Sequence, residues 1–306
     1  MVDSFRIGVH CSRGVGPHRG GRAENEDNFL IAHQGRARFL EGSVEREVQT
    51  SSAAGLMLVV ADGMGGHSHG ALASATAVRA MMRLYSRGRP RAPGSTLTQF
   101  VRSAHSRLRE RASSKGATNM GTTLTVLWII EHQAWWVHVG DSRLYHLRDG
   151  AMTQLSRDQV RGEFARRDGR AMPPQPHALS QSFIFGSRGL GHDQNIRLDV
   201  GLDTGHLSLQ SNDQFLLCSD GLSGAIAPSQ MTALLTDPQS PTATTTAHQL
   251  ARAAMAAGTT DNVTAMVLRV GKVSSAEEST QWNLFEDEPT VPQLRRPANP
   301  TTPDSD

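Results

Sequence analysis

Apolar positions recur along the chain in two periods, and the points where one period gives way to the other set the order of elements. Residues 56–61, LMLVVA, form an unbroken apolar run that ends in Asp62-Gly63. Such a run predicts a strand buried on both faces that delivers a carboxylate to the edge of its sheet. Residues 70–86 are rich in small side chains and predict a helix. The arginine- and proline-rich loop 87–95 leads to a second helix, in which Leu97, Phe100, Val101, Ala104 and Leu108 recur at helical spacing. From Gly121 the pattern switches to strands, TTLTVLWII, AWWVHVG and SRLYHLR, with Asp149-Gly150 marking a hairpin turn.

Upstream, residues 5–9 predict an opening strand, followed by a glycine-rich stretch at 14–21 and then RAENEDNFLIA. Residues 33–55 read as a polar connection. Downstream, a polar loop is expected over 156–195, then strands at 206–209 and 213–219 and a helix at 228–236. An alanine-rich helix over 242–257 stops at Gly258, a suitable C-terminal cap, and a strand at 263–270 closes the fold.

After Gly271 the composition shifts to Ser, Glu, Pro and Thr, and five of the fourteen prolines lie from Pro289 onward. The expected organisation is one folded domain over 1–271 and a disordered acidic, proline-rich tail over 272–306. Trp282, Leu284 and Phe285 interrupt that tail, either as a segment that docks back or as a short partner-binding motif.

With 306 residues the chain can bury a substantial core, and 38% hydrophobic and 20% charged residues suit a soluble globular protein. The longest apolar stretches, such as 124–130, are too short to span a bilayer. The opening MVDSFRIGVH lacks a basic region followed by an apolar core, so no signal peptide is expected. Cys11 and Cys218 are too few for a disulfide framework, and a reducing cytoplasm is the expected location. The net charge of +2 hides an asymmetry: residues 273–306 carry seven acids and two arginines, leaving 29 basic and 22 acidic side chains elsewhere. A mildly basic body suits anionic substrates, but its arginines form no dense stripe, which argues against nucleic acid as a partner.

Four short sequences carry the candidate chemistry: Arg22-Ala-Glu-Asn-Glu26-Asp27, Asp62-Gly63-Met64-Gly65-Gly66-His67, Ser219-Asp220-Gly221 and Asp261-Asn262-Val263-Thr264. Each sets a carboxylate beside an extended apolar strand. Alone, an Asp-Gly pair is commonly no more than a turn. Together, several aspartates at strand ends would repel one another unless divalent cations with a preference for oxygen neutralised them. Two such ions can activate a water and clamp a phosphoryl group, while an arginine's planar fork binds phosphate oxygens.

In sequence order the chain resembles the PPM/PP2C protein phosphatases in their bacterial form. R-x-x-N-E-D stands at 22–27, DGMGG at 62–66, MGTTL at 120–124, VGDSR at 139–143, SDGL at 219–222 and DNVT at 261–264. The resemblance implies an α+β fold, a central sandwich of two antiparallel β-sheets flanked by helices (αββα). It implies a protein serine/threonine phosphatase with two Mn²⁺ or Mg²⁺ ions and a third, weaker one. Asp62 would bridge the two ions, with the Gly63 carbonyl as a further ligand. Asp220 and Asp261 would hold the second ion, and Asp141 with Asp220 the third. Glu26 and Asp27 would act mostly through waters, Arg22 would take the substrate phosphate, and Asn262 and Thr264 would shape the site. Expected partners are phosphorylated proteins, including a Ser/Thr kinase or its substrates, with the enzyme acting as a monomer.

Two positions depart from that pattern. Met64 stands where animal relatives have a histidine proposed as general acid, and His67 lies nearby. After Leu155, Asp158-Gln159-Val160 and residues 177–191 match the family's flap poorly. The rival reading is a catalytically weak phosphatase-like signalling scaffold, which should have lost metal carboxylates. A cysteine phosphatase is excluded, because the position six residues after each cysteine is Pro17 or Gly224 rather than arginine.

Overall fold

The computed structural model describes residues 2–51, 54–64, 68–114, 121–160 and 202–273, with scattered positions between 163 and 183. The chain opens with β1 (Phe5–Ser12), β2 (Asn28–His33), β3 (Arg36–Glu41), β4 (Val44–Gln49) and β5 (Leu56–Ala61). A two-residue strand, β6 (Gly63–Met64), precedes the helices α1 (Ser68–Tyr85) and α2 (Pro93–Ser114). Then come β7 (Gly121–Thr122), β8 (Leu124–Ile130), β9 (Gln133–Val139), β10 (Arg143–Arg148) and β11 (Ala151–Gln154). The described chain ends with β12 (Asp203–Ser208), β13 (Gln214–Cys218), the single turn α3 (Asp220–Ser223), α4 (Pro228–Thr236), α5 (Ala243–Ala256) and β14 (Val263–Val270).

Two antiparallel sheets are built from these strands, in the orders β1-β14-β13-β10-β11 and β12-β9-β8-β5-β2-β3-β4, with β6 and β7 paired separately. Burial on both faces of β5 follows from its place in the layers. Leu56, Leu58 and Val60 point into the core between the sheets, where they join Phe215, Leu217, Met266 and Leu268 of the facing sheet. Met57, Val59 and Ala61 point the other way and pack with Ala73, Ala77 and Met81 of α1. The outer face of the other sheet, through Leu216, Val263, Ala265 and Val267, is covered by Met231 of α4 and Leu250 and Ala254 of α5. Period-two alternation in strands and small residues on α1 thus generate four layers, helix–sheet–sheet–helix.

Termini of several elements follow local chemistry. Asp149 and Gly150, at φ 51° and 78°, make the β10–β11 turn, a left-handed pair that suits a two-residue hairpin. The Thr242 hydroxyl caps α5 by accepting the Thr245 N–H at 3.0 Å, and Gly258 leaves the helix at φ 91°.

Residues 33–55 are not a polar connection: they carry β3 and β4, which extend the larger sheet. Their alternation is hidden by charge on the exposed face, where Arg36 pairs with Glu47 at 3.0 Å and Arg38 with Glu45. Cross-strand ion pairs replace an apolar face there, while Ala37 and Phe39 still point into the core. Pairing of β1 with β14 is extended beyond both strands by Val2 bridging Val273. Contacts divide the chain into 1–273 and 274–306, and the second unit lies outside the described residues.

Candidate metal centre

Strand register sends the carboxylates to one end of the sandwich. Asn28 faces Ala61 across β2 and β5, so Asp27 and Asp62 leave neighbouring strands side by side. In the other sheet Cys218 faces Ala265, and Asp220 follows β13 where Asp261 precedes β14. Asp141 sits in the turn between β9 and β10. Asp62, Asp141, Asp220, Asp261, Glu26 and Arg22 line a cleft of about 250 Å³, with Gly63 and Met64 beside them. Asp27 is not part of that lining; it lies buried next to it, 3% exposed.

Hydrogen bonds lock this end of the molecule. Asn262 accepts the Glu26 N–H at 2.9 Å and donates to the Glu24 carbonyl at 2.9 Å, which ties the Arg22–Asp27 segment to the start of β14. Thr264 donates to Asp27 Oδ2 at 2.7 Å. Close backbone approach explains two glycines: a Cβ on Gly63 would stand 2.3 Å from the Gly70 carbonyl oxygen, and one on Gly221 1.9 Å from that of Asn262. Arg22 places Nε and Nη2 on the two oxygens of Asp261, at 2.8 and 2.9 Å.

Crowding the acids together perturbs them. Burial first, and the charge of Asp220 and Asp261 next, push Asp27 up to about 7. Asp141 also rises to about 7, through burial and the charges of Asp220 and Asp158. Asp62 is driven well above the ordinary carboxylate range by burial and by Asp27, Asp220 and Asp141 together, and Asp220 is raised by burial and Asp261. Arg22 is held more firmly protonated by its bond to Asp261.

The donor set fits hard divalent cations, being all oxygen and short of positive charge. Nothing among the described residues hydrogen-bonds the buried Asp27 Oδ1, as for a polar atom reserved for another group. Among the described residues no three acidic, histidine or cysteine side chains already enclose one point as a cation cage, and Arg22 occupies Asp261. The fit is therefore one of chemistry and placement.

Every carboxylate singled out from the sequence is brought to this end of the fold, as are Arg22, Gly63 and Asn262; His67 lies outside the described residues. Sequence reasoning missed the hydroxyls that hold Asp62. Thr123 Oγ1 accepts the Asp62 N–H at 2.9 Å, Thr122 Oγ1 donates to the Asp62 carbonyl at 2.9 Å, and Thr123 shares a 2.7 Å hydrogen bond with Ser142. Ser74 of α1 donates to the Glu26 carbonyl at 2.6 Å. The signal was present in the MGTTL and VGDSR motifs, whose hydroxyl residues flank the carboxylate-bearing turns.

The start of the divergent region is also anchored here. Asp158 takes the Arg143 fork at 2.7–3.2 Å, and Gln159 exchanges hydrogen bonds with the backbone of Gly140, at 2.7 and 2.9 Å, directly before Asp141.

The family model described as protein phosphatase 2C matches residues 45–257. The chain belongs to that family. It is 32% identical over 240 residues to the serine/threonine protein phosphatase PstP of Mycobacterium tuberculosis, covering 76% of this chain and 44% of that protein. It therefore spans less than half the length of that relative. The protein phosphatase PhpP of Streptococcus pneumoniae is 31% identical over 228 residues, covering 74% of this chain and 88% of PhpP. The crystal structure of the PstP catalytic domain, which contains two manganese ions, superposes with a TM-score of 0.65 at 29% identity, over 88% of this chain and 99% of that one. The α+β fold of two antiparallel sheets between helices is thus the fold of this phosphatase family. No helix among the described residues is long and apolar enough to cross a membrane.

Proposed function

We propose that this protein phosphatase 2C member hydrolyses phosphoserine and phosphothreonine in proteins, at a centre that holds two Mn²⁺ or Mg²⁺ ions. The observation that carries the reading is the gathering of Asp27, Asp62, Asp141 and Asp220, four mutually repelling carboxylates, at one end of the sandwich. All four are shifted upward, by burial first and then by the charge of neighbouring acids, which for Asp220 is that of Asp261. A cluster of this kind is complete only with cations of its own. Asp62 would hold both ions, with the Gly63 carbonyl on one and Asp220 and Asp261 on the other. Asp141 together with Asp220 would take a third, weaker ion, while Glu26 and Asp27 support the pair through water. Ions held this way lower the pKa of a shared water and offset charge on a phosphoryl group.

The chain's own residues supply the rest. Arg22, at the mouth of the cleft, offers a planar fork to phosphate oxygens. Thr122 and Thr123 fix the backbone of Asp62, so the carboxylate that would hold both ions leaves the chain from a fixed point. Asn262 holds the segment that carries Arg22, Glu26 and Asp27 against the strand that carries Asp261. The substrates would be phosphorylated proteins, among them a Ser/Thr kinase or its targets, met by a monomer in the cytoplasm.

The scaffold reading is disfavoured because Asp27, Asp62, Asp220 and Asp261 are all retained and all gathered at one site. Turnover of an aryl phosphate by the purified chain, with and without Mn²⁺, separates the two readings. Turnover that depends on Mn²⁺ is expected, and none under either condition would leave the scaffold standing.

A further inference from the structure

The bidentate contact between Arg22 and Asp261 joins two groups to which the proposed function gives separate tasks, anion capture and cation binding. Nε and Nη2, the two donors on one edge of the guanidinium, are both committed to the Asp261 oxygens at 2.8 and 2.9 Å. That edge is one that a phosphate would use in the same bidentate manner. Asp261, for its part, spends both oxygens on Arg22, with Oδ1 also accepting the Asn262 N–H at 2.8 Å.

We propose that Arg22 is an internal counter-ion that competes with a divalent cation for Asp261, so that cation loading frees the guanidinium for phosphate. The inference rests on the reading of Asp261 as a cation ligand. It adds an order of events: while Asp261 carries Arg22, neither the carboxylate nor the Nε–Nη2 edge of the fork is available, and both become available in one exchange.

Three features suit Arg22 to that exchange. Its backbone N–H is tethered to the Thr260 carbonyl at 3.2 Å, so the side chain moves about a fixed point beside Asp261. The side chains are 53% and 33% exposed, and an ion pair that open to water adds little stability, so its partners exchange at small cost. Glu26 and Asp62 also act on Arg22, so the guanidinium stands within the field of the acid cluster it would leave on cation binding. The device is reciprocal: whatever draws Arg22 away from Asp261 must raise cation affinity there by the same factor.

The test is calorimetric titration of Mn²⁺ into the full chain after chelation, for the wild type, Arg22→Gln, Asp261→Ala and the double variant. Removing the competitor should tighten one Mn²⁺ site about 2- to 5-fold in Arg22→Gln, the range that corresponds to an exposed ion pair. In the Asp261→Ala background the same substitution should give a clearly smaller gain, because the contact is already gone. Arg22→Lys, which keeps the charge without the fork, should fall between wild type and Arg22→Gln and guards against a misfolded variant. Unchanged or weaker Mn²⁺ binding in Arg22→Gln overturns the proposal, as does an equal gain in both backgrounds. If the wild type itself binds no Mn²⁺, the reading of the metal centre fails along with it; if it binds Mn²⁺ through Asp62 and Arg22→Gln changes nothing, only the exchange is refuted.

Discussion

Thr264 donates its hydroxyl to Asp27 Oδ2 at 2.7 Å and leaves the other oxygen of that buried carboxylate without a hydrogen-bond partner among the described residues. Asp27 and Asp141, both near 7 when folded, sit about three units above a carboxylate in an unfolded chain. Between about pH 4 and 7 the folded metal-free chain therefore binds more protons than the unfolded one, and its stability should fall as pH rises through that window. Divalent cations remove the repulsion. Thermal melts with and without saturating Mg²⁺ should show a larger gain in Tm at pH 8 than at pH 5. Equal gains at both pH values would contradict this account of the acid cluster.

The carboxylates should separate by role. Asp62→Asn and Asp220→Asn should each reduce phosphopeptide turnover to background and remove tight Mn²⁺ binding. Asp141→Asn should lower turnover while the two tight sites survive, since on the proposed assignment it would serve only the third. Calorimetry on all three variants reads this directly, and loss of both tight sites in Asp141→Asn would show its role wrongly assigned.

Arg22→Ala should lower kcat/KM for a phosphoserine peptide by about 10- to 100-fold, the effect of losing one bidentate, charge-assisted contact of about 1.5–3 kcal/mol. An unchanged kcat/KM under saturating Mn²⁺ would place Arg22 outside the substrate site.

Thr123→Val keeps the shape of the side chain and removes the acceptor for the Asp62 N–H and the partner of Ser142. Leaving such buried groups unpaired should cost about 1–3 kcal/mol in chemical denaturation and weaken Mn²⁺ binding through a looser Asp62. A stability loss with metal affinity untouched would make Thr123 a packing residue only.

Away from the site, Asp213 is held at about 2: burial alone would raise it, but the Arg148 fork at 2.7 Å, His146 and the Gln210 N–H prevail. Its folded value is depressed, so the stability it contributes is present above about pH 4 and is lost as pH falls toward 2. Arg148→Ala should destabilise the fold by about 2–3 kcal/mol at pH 7, by leaving a buried carboxylate without its strongest partner. The loss should shrink in acid, and denaturant titrations at pH 7 and pH 3 would check it.

How much of this was legible in the sequence depended on whether a residue's partner was near in the chain or only near in space. The unbroken run 56–61 announced β5, and Pro228 and Thr242 announced helix starts, because those signals are local. Residues 33–55 misled because β3 and β4 satisfy one exposed face with arginine–glutamate pairs, which read as polar loop in one dimension. The carboxylates could be recognised from motif order. The Thr122 and Thr123 clasp on Asp62 and the Arg22 fork on Asp261 could not, because each joins residues dozens to hundreds of positions apart. The single turn α3 was missed for another reason: four residues carry too little periodicity to be seen.

The central claim is that carboxylate-held cations make this fold a phosphoprotein phosphatase, and release of phosphate from a phosphoserine peptide measures it most directly. The account predicts that exhaustive treatment with chelator followed by dialysis abolishes release, and that Mn²⁺ or Mg²⁺ restores it in the wild type but not in Asp62→Asn. Release that persists undiminished in the stripped protein would contradict it.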